Sequence, residues 1–318
     1  MSFTLRFLGT SASRPTVERN VTSLVAVREG ETLMFDCGEG TQRQMMRYGV
    51  SFALQDIFFT HYHADHLLGL IGLFRTLALQ GRLEPMRLWG PKGGARILRR
   101  ATEFGVERVG FPVEIHELEP GERVPRKDYA IVPYLADHRQ GLAFGWSLVE
   151  EERRGRFDPD RARSLGIPEG PLWGQIHRGV AVTLADGRII TPESLVGSPR
   201  SGRKVVITGD TRPCDSTVDA ARGADLLVHE ATFGDEEATR ALETGHSTAR
   251  EAGAMARRAG ARRLLLTHFS ARYSRDSTEL LDQARAEFAD TTCARDGMEV
   301  DIPFPGDGEG VNESPVRA

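Results

Sequence analysis

The sequence feature that most constrains the fold is the stretch DIFFTHYHADHLLGL at residues 56–70. It opens with a short apolar run, which is typical of a buried strand, and it ends in apolar residues with helical spacing. Between the two lie His61, His63, Asp65 and His66. Imidazole nitrogens and carboxylate oxygens are ligands of first-row metals, and zinc is the commonest metal for such a set. The stretch therefore predicts a strand, a metal-binding loop and the start of a helix.

The spacing of these four side chains indicates more than one metal ion. Side chains alternate between faces in an extended segment, so His61 and His63 point the same way. Asp65 and His66 follow the turn and are free to face a neighbouring position. The alternative is a solvated histidine-rich loop or a set of core histidines, but packing does not require imidazoles at alternate positions. We therefore expect two ions side by side, each with further ligands from elsewhere in the chain.

The totals are those of an ordinary globular protein. At 318 residues the chain is long enough for one large layered domain or two smaller ones. A formal net charge of −4 does not favour nucleic-acid binding, although local basic patches can exist. The three cysteines indicate neither a disulfide framework nor a Cys-type zinc site. With no signal-peptide pattern and no apolar stretch of membrane-spanning length, we expect a cytoplasmic protein that does not associate with a membrane.

Strand-then-helix patterns run along most of the chain. Residues 22–27 and 32–35 are predicted strands, joined by a hairpin turn around Glu29-Gly30-Glu31. Asp36 ends the second strand and precedes glycines, so it is either a carboxylate that supports a nearby site or a helix cap.

Three further predictions concern the last quarter of the chain. Residues 247–258 are predicted to be helical, with Ser247 as the cap, and residues 274–288 form the last predicted helix. The acidic, glycine-rich tail after Pro305 is predicted to be frayed.

The character of the sequence changes at Glu150. Residues 151–156 are charged, residues 157–165 predict a short polar helix at best, and residues 166–174 are dense in glycine and proline. Such a segment is not expected to build a core of its own. We therefore interpret residues 150–190 as a flexible arm inserted into a single domain of residues 1–318. A plain surface insertion is the alternative.

Polar ligand residues follow several apolar strands. The strand before His61, the strand before Asp210 and the strand before His268 all end in the same way, and open sheets with helices place their sites beyond strand ends. Together with His138 these residues complete two sets of ligands. We expect His61, His63 and His138 to hold one ion, Asp65, His66 and His268 to hold the other, and Asp210 to bridge them. Two metal ions about 3.5–4 Å apart are the usual clamp for in-line displacement at phosphorus.

The pattern His61-x-His63-x-Asp65-His66, with Asp210 and His268, resembles the metallo-β-lactamase superfamily. The finer resemblance is to the ribonuclease Z family, the tRNA 3′-processing endonucleases. The motifs that carry it run from residue 7 to residue 273: Phe7-Leu8-Gly9-Thr10, Pro15, Arg19-Asn20, Asp36-Cys37-Gly38-Glu39-Gly40-Thr41-Gln42, Phe59-Thr60-His61, Asp137-His138, Gly170-Pro171, Gly209-Asp210-Thr211, His229-Glu230-Ala231-Thr232, His246-Ser247 and Thr267-His268-Phe269-Ser270-Ala271-Arg272-Tyr273.

The resemblance implies an α/β (α+β) fold, a metallo-β-lactamase-like αββα sandwich of two mixed sheets flanked by helices, with a protruding arm. It implies a homodimeric endoribonuclease with two zinc ions per subunit, manganese or another divalent metal being possible, and with precursor tRNA as substrate. One subunit's arm would grip the tRNA elbow for the other subunit's active site. Asp65 would take a proton from the attacking water, and His246, supported by Glu230, would protonate the leaving oxygen. The alternative for His246 is a histidine that belongs only to a helix cap region.

The resemblance also implies where substrate is bound. The residues concerned are Arg19, Asn20, Gly170, Pro171, His177, Arg178, Arg272 and Tyr273. This chain departs from the family at His177, where the family often carries a lysine. Because histidine is largely neutral at pH 7, a phosphate contact there would be weaker or would shift to Arg178.

Other functions remain open at this point. The nearest is a different hydrolase of the same fold, acting on small phosphodiesters or sulfate esters, or a 3′-exoribonuclease. A di-iron redox protein of this fold usually carries a glutamate where His63 stands, and a flavin module that this chain lacks. A purely structural metal site is disfavoured because ligand sets of nitrogen and oxygen that leave a position open are typical of catalytic zinc.

Overall fold

Two β-sheets that pack face to face form most of the described chain. The computed structural model describes residues 2–105, 109–139, 141–306 and 313–314. Backbone contacts divide the chain into a first unit, Met1–Val149 with Arg203–Ala318, and a second unit, Glu150–Gly202. Both large sheets are built from the strands of the first unit.

The first sheet carries the strand that leads into the histidine-rich loop. In spatial order its strands are β17 (Glu313–Ser314), β16 (Glu299–Asp301), β1 (Phe3–Gly9), β2 (Ser23–Arg28), β3 (Glu31–Phe35), β4 (Asp56–Phe58), β5 (Met86–Pro91) and β6 (Val113–Leu118). From β3 to β6 the strands are parallel, whereas β1 is antiparallel to both β2 and β16. The sheet is therefore mixed, as expected.

The predicted hairpin between β2 and β3 is confirmed. Glu29 and Gly30 have φ angles of 50° and 86°, so both central residues of the two-residue turn are left-handed. This geometry matches the twist of the flanking strands and pairs Arg28 with Glu31. The strands begin and end within a residue or so of the predicted positions.

The second sheet supplies the other strand ends that face the site. In spatial order its strands are β15 (Thr291–Cys293), β14 (Leu264–Thr267), β13 (Leu226–Glu230), β12 (Lys204–Ile207), β9 (Ala143–Glu150), β8 (Tyr129–Ala136) and β7 (Val124–Pro125). The strands from β12 to β15 are parallel, and β9 runs antiparallel to β12. Since parallel strands end at the same edge, residues that follow β12, β13 and β14 are brought together.

Aromatic side chains fill the space between the sheets. Phe35 and Phe58 of the first sheet stack with ring centroids 5.3 Å apart, and Trp146 of the second sheet meets Phe58 edge-on at 5.2 Å. All three are at most 1% exposed. Such aromatic pairs contribute about 0.5–1.5 kcal/mol each beyond the burial of their surface. The sheets are thus fixed against each other directly beneath the strand ends.

Helices cover the outer face of each sheet, so the predicted αββα sandwich is confirmed. On the first sheet, α3 (Gly69–Leu79) buries Leu70, Leu73, Phe74 and Leu77, the spacing of an amphipathic helix. On the second sheet, α9 (Ala249–Ala259) does the same with Ala252, Met255, Ala256 and Ala259. The remaining helices of the first unit are α1 (Thr41–Arg47), α2 (Ala64–Leu67), α4 (Ala95–Thr102), α7 (Asp215–Ala221), α8 (Ala238–Thr244) and α10 (Thr278–Arg285).

Two predicted helix starts are wrong. The cap of α9 is Thr248, whose hydroxyl accepts from the Glu251 amide while the Glu251 carboxylate accepts from the Thr248 amide. Ser247 instead donates its hydroxyl to the Thr211 carbonyl at 2.6 Å. The last helix begins at Thr278 rather than at residue 274, and just before it Asp276 accepts from the Thr278 amide.

The prediction that the segment after Glu150 lacks a core is also wrong. The second unit contains α5 (Pro159–Ser164), α6 (Pro171–His177) and the antiparallel pair β10 (Val182–Thr183) and β11 (Ile189–Ile190). Its own buried cluster is Ala162, Ile167, Ile176, Val182, Leu184, Ile190 and Leu195. These apolar residues are far apart in the sequence and are separated by glycines, prolines and charged residues. The hydrophobic periodicity of a helix or a strand is therefore not evident in this segment. The compact unit also extends to Gly202, beyond the predicted end at residue 190.

Two remaining predictions concern the membrane and the tail. Among the described residues, no helix has both the length and the apolar character that crossing a membrane requires. The tail after Pro305 lies outside the described residues apart from Gly306, Glu313 and Ser314. The backbones of Glu313 and Ser314 pair with β16.

Candidate metal centre and active site

Seven side chains that follow different strands converge at one edge of the two sheets. His61 and His63 lie on the segment between β4 and α2, and Asp65 and His66 lie in α2 itself. The other three ligand residues follow strands of the second sheet. Asp210 follows β12, His268 follows β14 and His138 follows β8. All seven predicted ligand residues are thus brought together, in two groups with Asp210 between them.

The first group contains three histidines. His61 Nε2 and His138 Nε2 lie 2.9 Å and 3.3 Å from His63 Nδ1. Asp210 Oδ2 lies 3.6 Å from His61 Nε2 and 3.9 Å from His138 Nε2. His61, His138 and Asp210 are buried, whereas His63 is exposed, so the group opens to solvent on one side only.

The second group contains a carboxylate and two histidines. His66 Nε2 and His268 Nε2 are 3.3 Å apart, and Asp65 Oδ2 lies 3.6 Å and 3.4 Å from them. Asp210 Oδ1 completes the group at 3.2 Å from His268 Nε2 and 3.4 Å from His66 Nε2. Asp210 therefore presents one oxygen to each group.

These distances fit metal ligation. Ligand atoms about 2.05 Å from a tetrahedral zinc ion lie about 3.4 Å from one another, close to the separations in both groups. Asp210 Oδ1 is buried and forms no hydrogen bond with any of the described residues. It lies among ring nitrogens that also approach one another within about 3.3 Å. A buried carboxylate oxygen left unbonded is costly, and a cation bound in this position would remove that cost.

The outer nitrogen of each buried histidine is held by a second partner. Nδ1 of His66 lies 2.8 Å from Asp36 Oδ2, and Nδ1 of His138 lies 2.7 Å from the Gly245 carbonyl oxygen. The corresponding contacts are Thr60 Oγ1 for His61, at 3.0 Å, and Thr232 Oγ1 for His268, at 2.9 Å. Such partners fix the ring orientation and leave Nε2 as the ligand atom.

Asp36 forms hydrogen bonds with two residues of the site, Thr60 and His66. It has a left-handed backbone with φ 57°, and its Oδ1 and Oδ2 accept from the amide and hydroxyl of Thr60, at 2.8 Å each. The helix that follows is preceded by Gly40, so the alternative of Asp36 as a helix cap is wrong. The carboxylate instead connects the ends of β3 and β4 and orients His66.

Local backbone strain concentrates here. His268 has φ 58°, a conformation that only a few per cent of residues other than glycine adopt, although histidine is among the types enriched there. Gly209, with φ 60°, lies so close to Thr60 that a Cβ there would come within 2.7 Å of the Thr60 side chain. The surrounding packing holds these conformations, a feature that clusters at functional sites.

Burial and close charges shape the ionisation of the ligands. Burial and the neighbouring His66 hold the pKa of His61 well below its usual value. Burial opposes ionisation of Asp210, but the facing histidines outweigh it and hold the pKa of the carboxyl well below its usual value. Asp210 is therefore ionised at neutral pH, and His61 is neutral, as metal ligands must be.

His246 and Glu230 form a hydrogen-bonded pair at the edge of the ligand groups, where His246 also lies close to Asp210 and His268. His246 Nδ1 lies 2.8 Å from Glu230 Oε1, and Glu230 is fully enclosed, accepting also from the Thr211 amide and the Thr232 hydroxyl. Burial opposes a charged imidazole, but the Glu230 carboxylate outweighs it and raises the pKa of His246 to about 9. The histidine is therefore protonated at neutral pH, with Nε2 left for a substrate atom.

The predicted substrate residues of the first unit all form hydrogen bonds or ion pairs with other residues of the protein. Arg19 is 9% exposed and donates to the Ser274 carbonyl, the Thr10 hydroxyl and the Ala294 carbonyl. Asn20 donates its side-chain amide to the Glu39 carbonyl. Arg272 pairs with Glu237, and Tyr273 donates to the same carboxylate at 2.6 Å. Contact of these four residues with substrate stays a prediction.

The predicted substrate residues of the second unit are exposed. Gly170 precedes α6 with φ 140°, a backbone that favours glycine, and Pro171 opens the helix. His177 and Arg178 are exposed at its other end, and the Arg154 guanidinium donates to the His177 carbonyl at 3.1 Å.

The sequence did not predict the roles of three residues near the ligand groups. Thr60 and Thr232 hold metal-facing histidines through their hydroxyls, and the backbone of Ser13 donates to Asp65 Oδ2 at 2.6 Å. A threonine directly before His61 at a strand end is the available signal for Thr60. The role of Ser13 depends on its backbone and leaves no signal in the residue type.

Comparison with family descriptions gives two partial matches. Residues 3–102 match the family described as Anti-Pycsar protein Apyc1, and residues 194–269 match the Beta-lactamase superfamily domain. The second match includes Asp210, His246 and His268.

Curated relatives match nearly the whole chain. The ribonuclease Z of Gemmatimonas aurantiaca is 63% identical over 303 residues, covering 95% of this chain and 96% of that protein. The ribonuclease Z of Myxococcus xanthus is 55% identical, covering 94% and 98%, and that of Haloferax volcanii is 47% identical, covering 96% of each.

Solved structures agree in fold. Human tRNase Z, short form, superposes with a TM-score of 0.69 at 29% identity, covering 95% of this chain and 100% of that chain. The metallo-beta-lactamase fold protein YhfI of Bacillus subtilis gives a TM-score of 0.68 at 17% identity, covering 95% and 100%, a likeness of fold alone.

Proposed function

The chain belongs to the ribonuclease Z family, and from this premise we propose that its two ligand groups hold two zinc ions at which it cuts precursor tRNA. Relatives named ribonuclease Z are 47–63% identical over nearly the whole chain. The protein is a metal-dependent endoribonuclease that removes the 3′ trailer by phosphodiester hydrolysis. It leaves a 3′-hydroxyl on the tRNA and a 5′-phosphate on the trailer.

The metal proposal assigns every ligand atom. His61, His63 and His138 would hold one ion, Asp65, His66 and His268 the other, and Asp210 both. Nitrogen and oxygen ligands suit zinc, and manganese or another divalent metal is also compatible with such a set. When bound, the ions would supply Lewis-acid chemistry and neutralise charge at the phosphate.

Asp65 is the proposed proton acceptor for the attacking water. Its carboxylate borders the second group, and Ser13 and the facing histidines fix its orientation. Burial opposes ionisation, but His66 and His268 outweigh it, so the pKa of Asp65 lies below its usual value and the carboxylate is ionised. Water attacks phosphorus with its oxygen, and its proton passes to Asp65.

His246 is the proposed general acid for the leaving oxygen. The bond from phosphorus to the tRNA 3′-oxygen breaks, and that oxygen takes a proton from His246 Nε2. Glu230 holds the imidazole through Nδ1 and keeps it protonated. General acid catalysis of this kind contributes about 10²- to 10⁴-fold.

The observation that carries the metal and cleavage assignment is the convergence of seven ligand side chains with outer nitrogens already held by Asp36, Thr60, Gly245 and Thr232. Such second partners are a hallmark of metal-binding histidines. Histidines that are buried for packing alone have no reason to turn Nε2 toward one another.

The test is to incubate purified protein with a precursor tRNA and map the ends of both products, with and without chelator. We expect a single cut at the trailer junction that chelator abolishes and zinc restores. Asp65→Ala should lose cleavage while its circular dichroism and melting temperature stay near those of the wild type. Exonucleolytic trimming, or chelator-resistant cleavage, would contradict the assignment.

We further propose that the second unit is the tRNA-binding arm. The candidate contacts of this unit with tRNA are four exposed residues: Gly170, Pro171, His177 and Arg178. A cationic side chain beside a phosphate adds affinity by releasing counterions. Local cationic contacts are needed here because the chain has a formal net charge of −4, so its overall electrostatic field does not attract the phosphates of RNA.

The arm proposal is tested by replacing residues 151–201 with a short Gly/Ser linker. Cleavage of precursor tRNA should fall strongly, while hydrolysis of bis(p-nitrophenyl) phosphate should persist because the ligand groups lie in the first unit. Unchanged tRNA processing would reject the arm's role.

Two proposals concern assembly and location. We propose a homodimer in which one subunit's arm serves the other's active site. Mixing an Asp65→Ala subunit with a subunit that lacks residues 151–201 should then restore activity. We also propose that the protein acts in the cytoplasm, where a fluorescent fusion should be found.

A further inference from the structure

The loop between β1 and β2 reaches the second ligand group through its backbone. The Ser13 amide donates to Asp65 Oδ2 at 2.6 Å, a short, charge-assisted hydrogen bond. The same oxygen lies 3.4 Å from His268 Nε2 and 3.6 Å from His66 Nε2. The bond therefore acts on the carboxylate oxygen that faces the metal group.

The conformation of Ser13 is unusual. Its φ of 60° lies in the left-handed region, which residues other than glycine, asparagine and aspartate adopt rarely. The side chain is exposed, so packing of the serine does not account for this backbone. The left-handed turn is what aims the amide at Asp65, and such an outlier needs surroundings that hold it.

A neighbouring hydrogen bond connects the loop to a second ligand. The Ala12 amide donates to the carbonyl of Phe269 at 2.9 Å, directly after His268. Adjacent residues of one loop therefore contact Asp65 and the backbone beside His268. These two ligands lie 203 positions apart in the sequence, and the loop forms a hydrogen bond with the side chain of one and with the backbone next to the other.

Several hydrogen bonds and a ring contact hold the base of the loop. Arg19 lies over the Phe269 ring, 4.7 Å from its centroid, and donates to the Thr10 hydroxyl at 2.8 Å. Asp296 accepts from the Thr10 hydroxyl at 2.8 Å and from the Asn20 amide at 2.6 Å. The Asn20 carbonyl accepts from the Thr10 and Ser11 amides, which closes the loop on itself.

We propose that Ser13 is a positioning residue whose backbone amide fixes the Asp65 carboxylate for zinc binding and for proton transfer. The proposal rests on the proposed function, because Asp65 has these two tasks only in a metal-dependent hydrolase. A carboxylate turns about its own bond to Cβ, and a donor fixed by the loop stops that rotation. It keeps Oδ2 toward the metal group and leaves Oδ1 for the water proton.

The most direct variant changes one atom. Incorporating the α-hydroxy analogue of serine at position 13 replaces the amide N–H with an ester oxygen and keeps the side chain. Loss of a partner of this kind typically costs about 10- to 100-fold in metal affinity or activity. We expect a fall of that size in kcat, with KM for precursor tRNA unchanged within about threefold because the RNA-binding surface is intact.

Side-chain variants supply the matched controls. Ser13→Gly and Ser13→Asn keep the amide and tolerate a positive φ, so both should retain wild-type kcat within about threefold. Ser13→Val keeps the amide but disfavours a positive φ, and its kcat should approach that of the ester. A role for the serine hydroxyl would give the opposite order, with Ser13→Gly impaired and the ester normal.

Zinc binding gives a readout that does not depend on RNA cleavage. In competition with a chromophoric chelator, the ester variant should bind one of its two zinc equivalents about 10- to 100-fold more weakly than Ser13→Gly does. If wild-type protein binds two zinc ions but does not cut precursor tRNA, the proposed function fails and this comparison still stands. Equal zinc affinity and equal kcat in the ester variant and the wild type would overturn the proposal.

Discussion

The two units of the chain present their predicted functional residues in opposite ways. In the first unit, His61, His66, His138, Asp210 and His268 are at most 5% exposed, and the outer nitrogen of each histidine has a named partner. In the second unit, Gly170, Pro171, His177 and Arg178 are exposed at the two ends of one short helix.

The difference separates chemistry from recognition. Metal ligand atoms must be placed accurately around a shared ion. Strand ends, residues with a left-handed backbone and hydrogen bonds all contribute to that placement. Residues that only add affinity need to be accessible and charged. Substitutions in the first unit should therefore change metal binding and turnover, and substitutions in the second should change affinity for RNA.

The largest effect is expected at Asp210, because it faces both ligand groups. Asp210→Ala should reduce zinc binding at both positions and lower kcat by more than about 100-fold, beyond what the loss of an outer partner costs. The control is Asp137→Ala, an exposed carboxylate next to His138. Zinc stoichiometry and kcat would be measured for both. Comparable losses in the two variants would contradict a specific bridging role.

Thr60 tests whether the supporting hydroxyl matters. Thr60→Val keeps the shape but removes the contact with His61 Nδ1 and the donor to Asp36 Oδ2. We expect zinc affinity and kcat to fall about 10- to 100-fold. Thr60→Ser retains the hydroxyl and should recover most of that loss. Equal behaviour of the valine and serine variants would show that the hydroxyl has no such role.

Glu230 tests the protonation of His246 through the pH profile. Glu230 raises the pKa of His246 to about 9, and a general acid must carry its proton, so activity should fall as pH rises through that value. Glu230→Gln removes the negative charge, lowers the pKa and moves the alkaline limb of kcat to lower pH by at least about one unit. The loss should be greatest at high pH. Glu243→Gln, an exposed glutamate of α8, should leave the limb in place.

The smallest effect is expected in the second unit. Arg178→Ala should raise KM for precursor tRNA a few-fold and reduce the dependence of binding on log salt by about one, the signature of one lost phosphate contact. Hydrolysis of a small phosphodiester should not change. The control is Arg188→Ala, in the same unit, because Arg188 is already paired with Asp186. A lower kcat on the small substrate would contradict the division between the units.

The sequence predicted the parts of the site that residue type reveals. The ligand residues cluster in HYHADH or follow apolar strands, so their convergence could be anticipated. The residues that hold the outer histidine nitrogens could not be predicted, because the tertiary fold brings them close. The Gly245 carbonyl that holds His138, for example, is 107 positions away in the sequence. The left-handed backbones of Asp36, His268 and Ser13 were also hidden, since none of these positions is a glycine.

The fold, like the site, could be predicted from the sequence only in part. The αββα layers could be predicted because strands and helices carry their own periodicity. The core of the second unit could not, because Ala162, Ile176 and Val182 are separated by glycine, proline and charged residues. Helix starts were misjudged where two candidate caps adjoin, as at Ser247 and Thr248, and the reciprocal bonds with Glu251 decide between them.

The central claim is that seven side chains hold two ions and that hydrolysis depends on both. Anomalous diffraction from a crystal of the zinc-loaded protein, recorded at the zinc absorption edge, tests it most directly. We predict two peaks, one among His61, His63 and His138 and one among Asp65, His66 and His268, with Asp210 in contact with both. A single peak, or peaks away from these residues, would contradict the account.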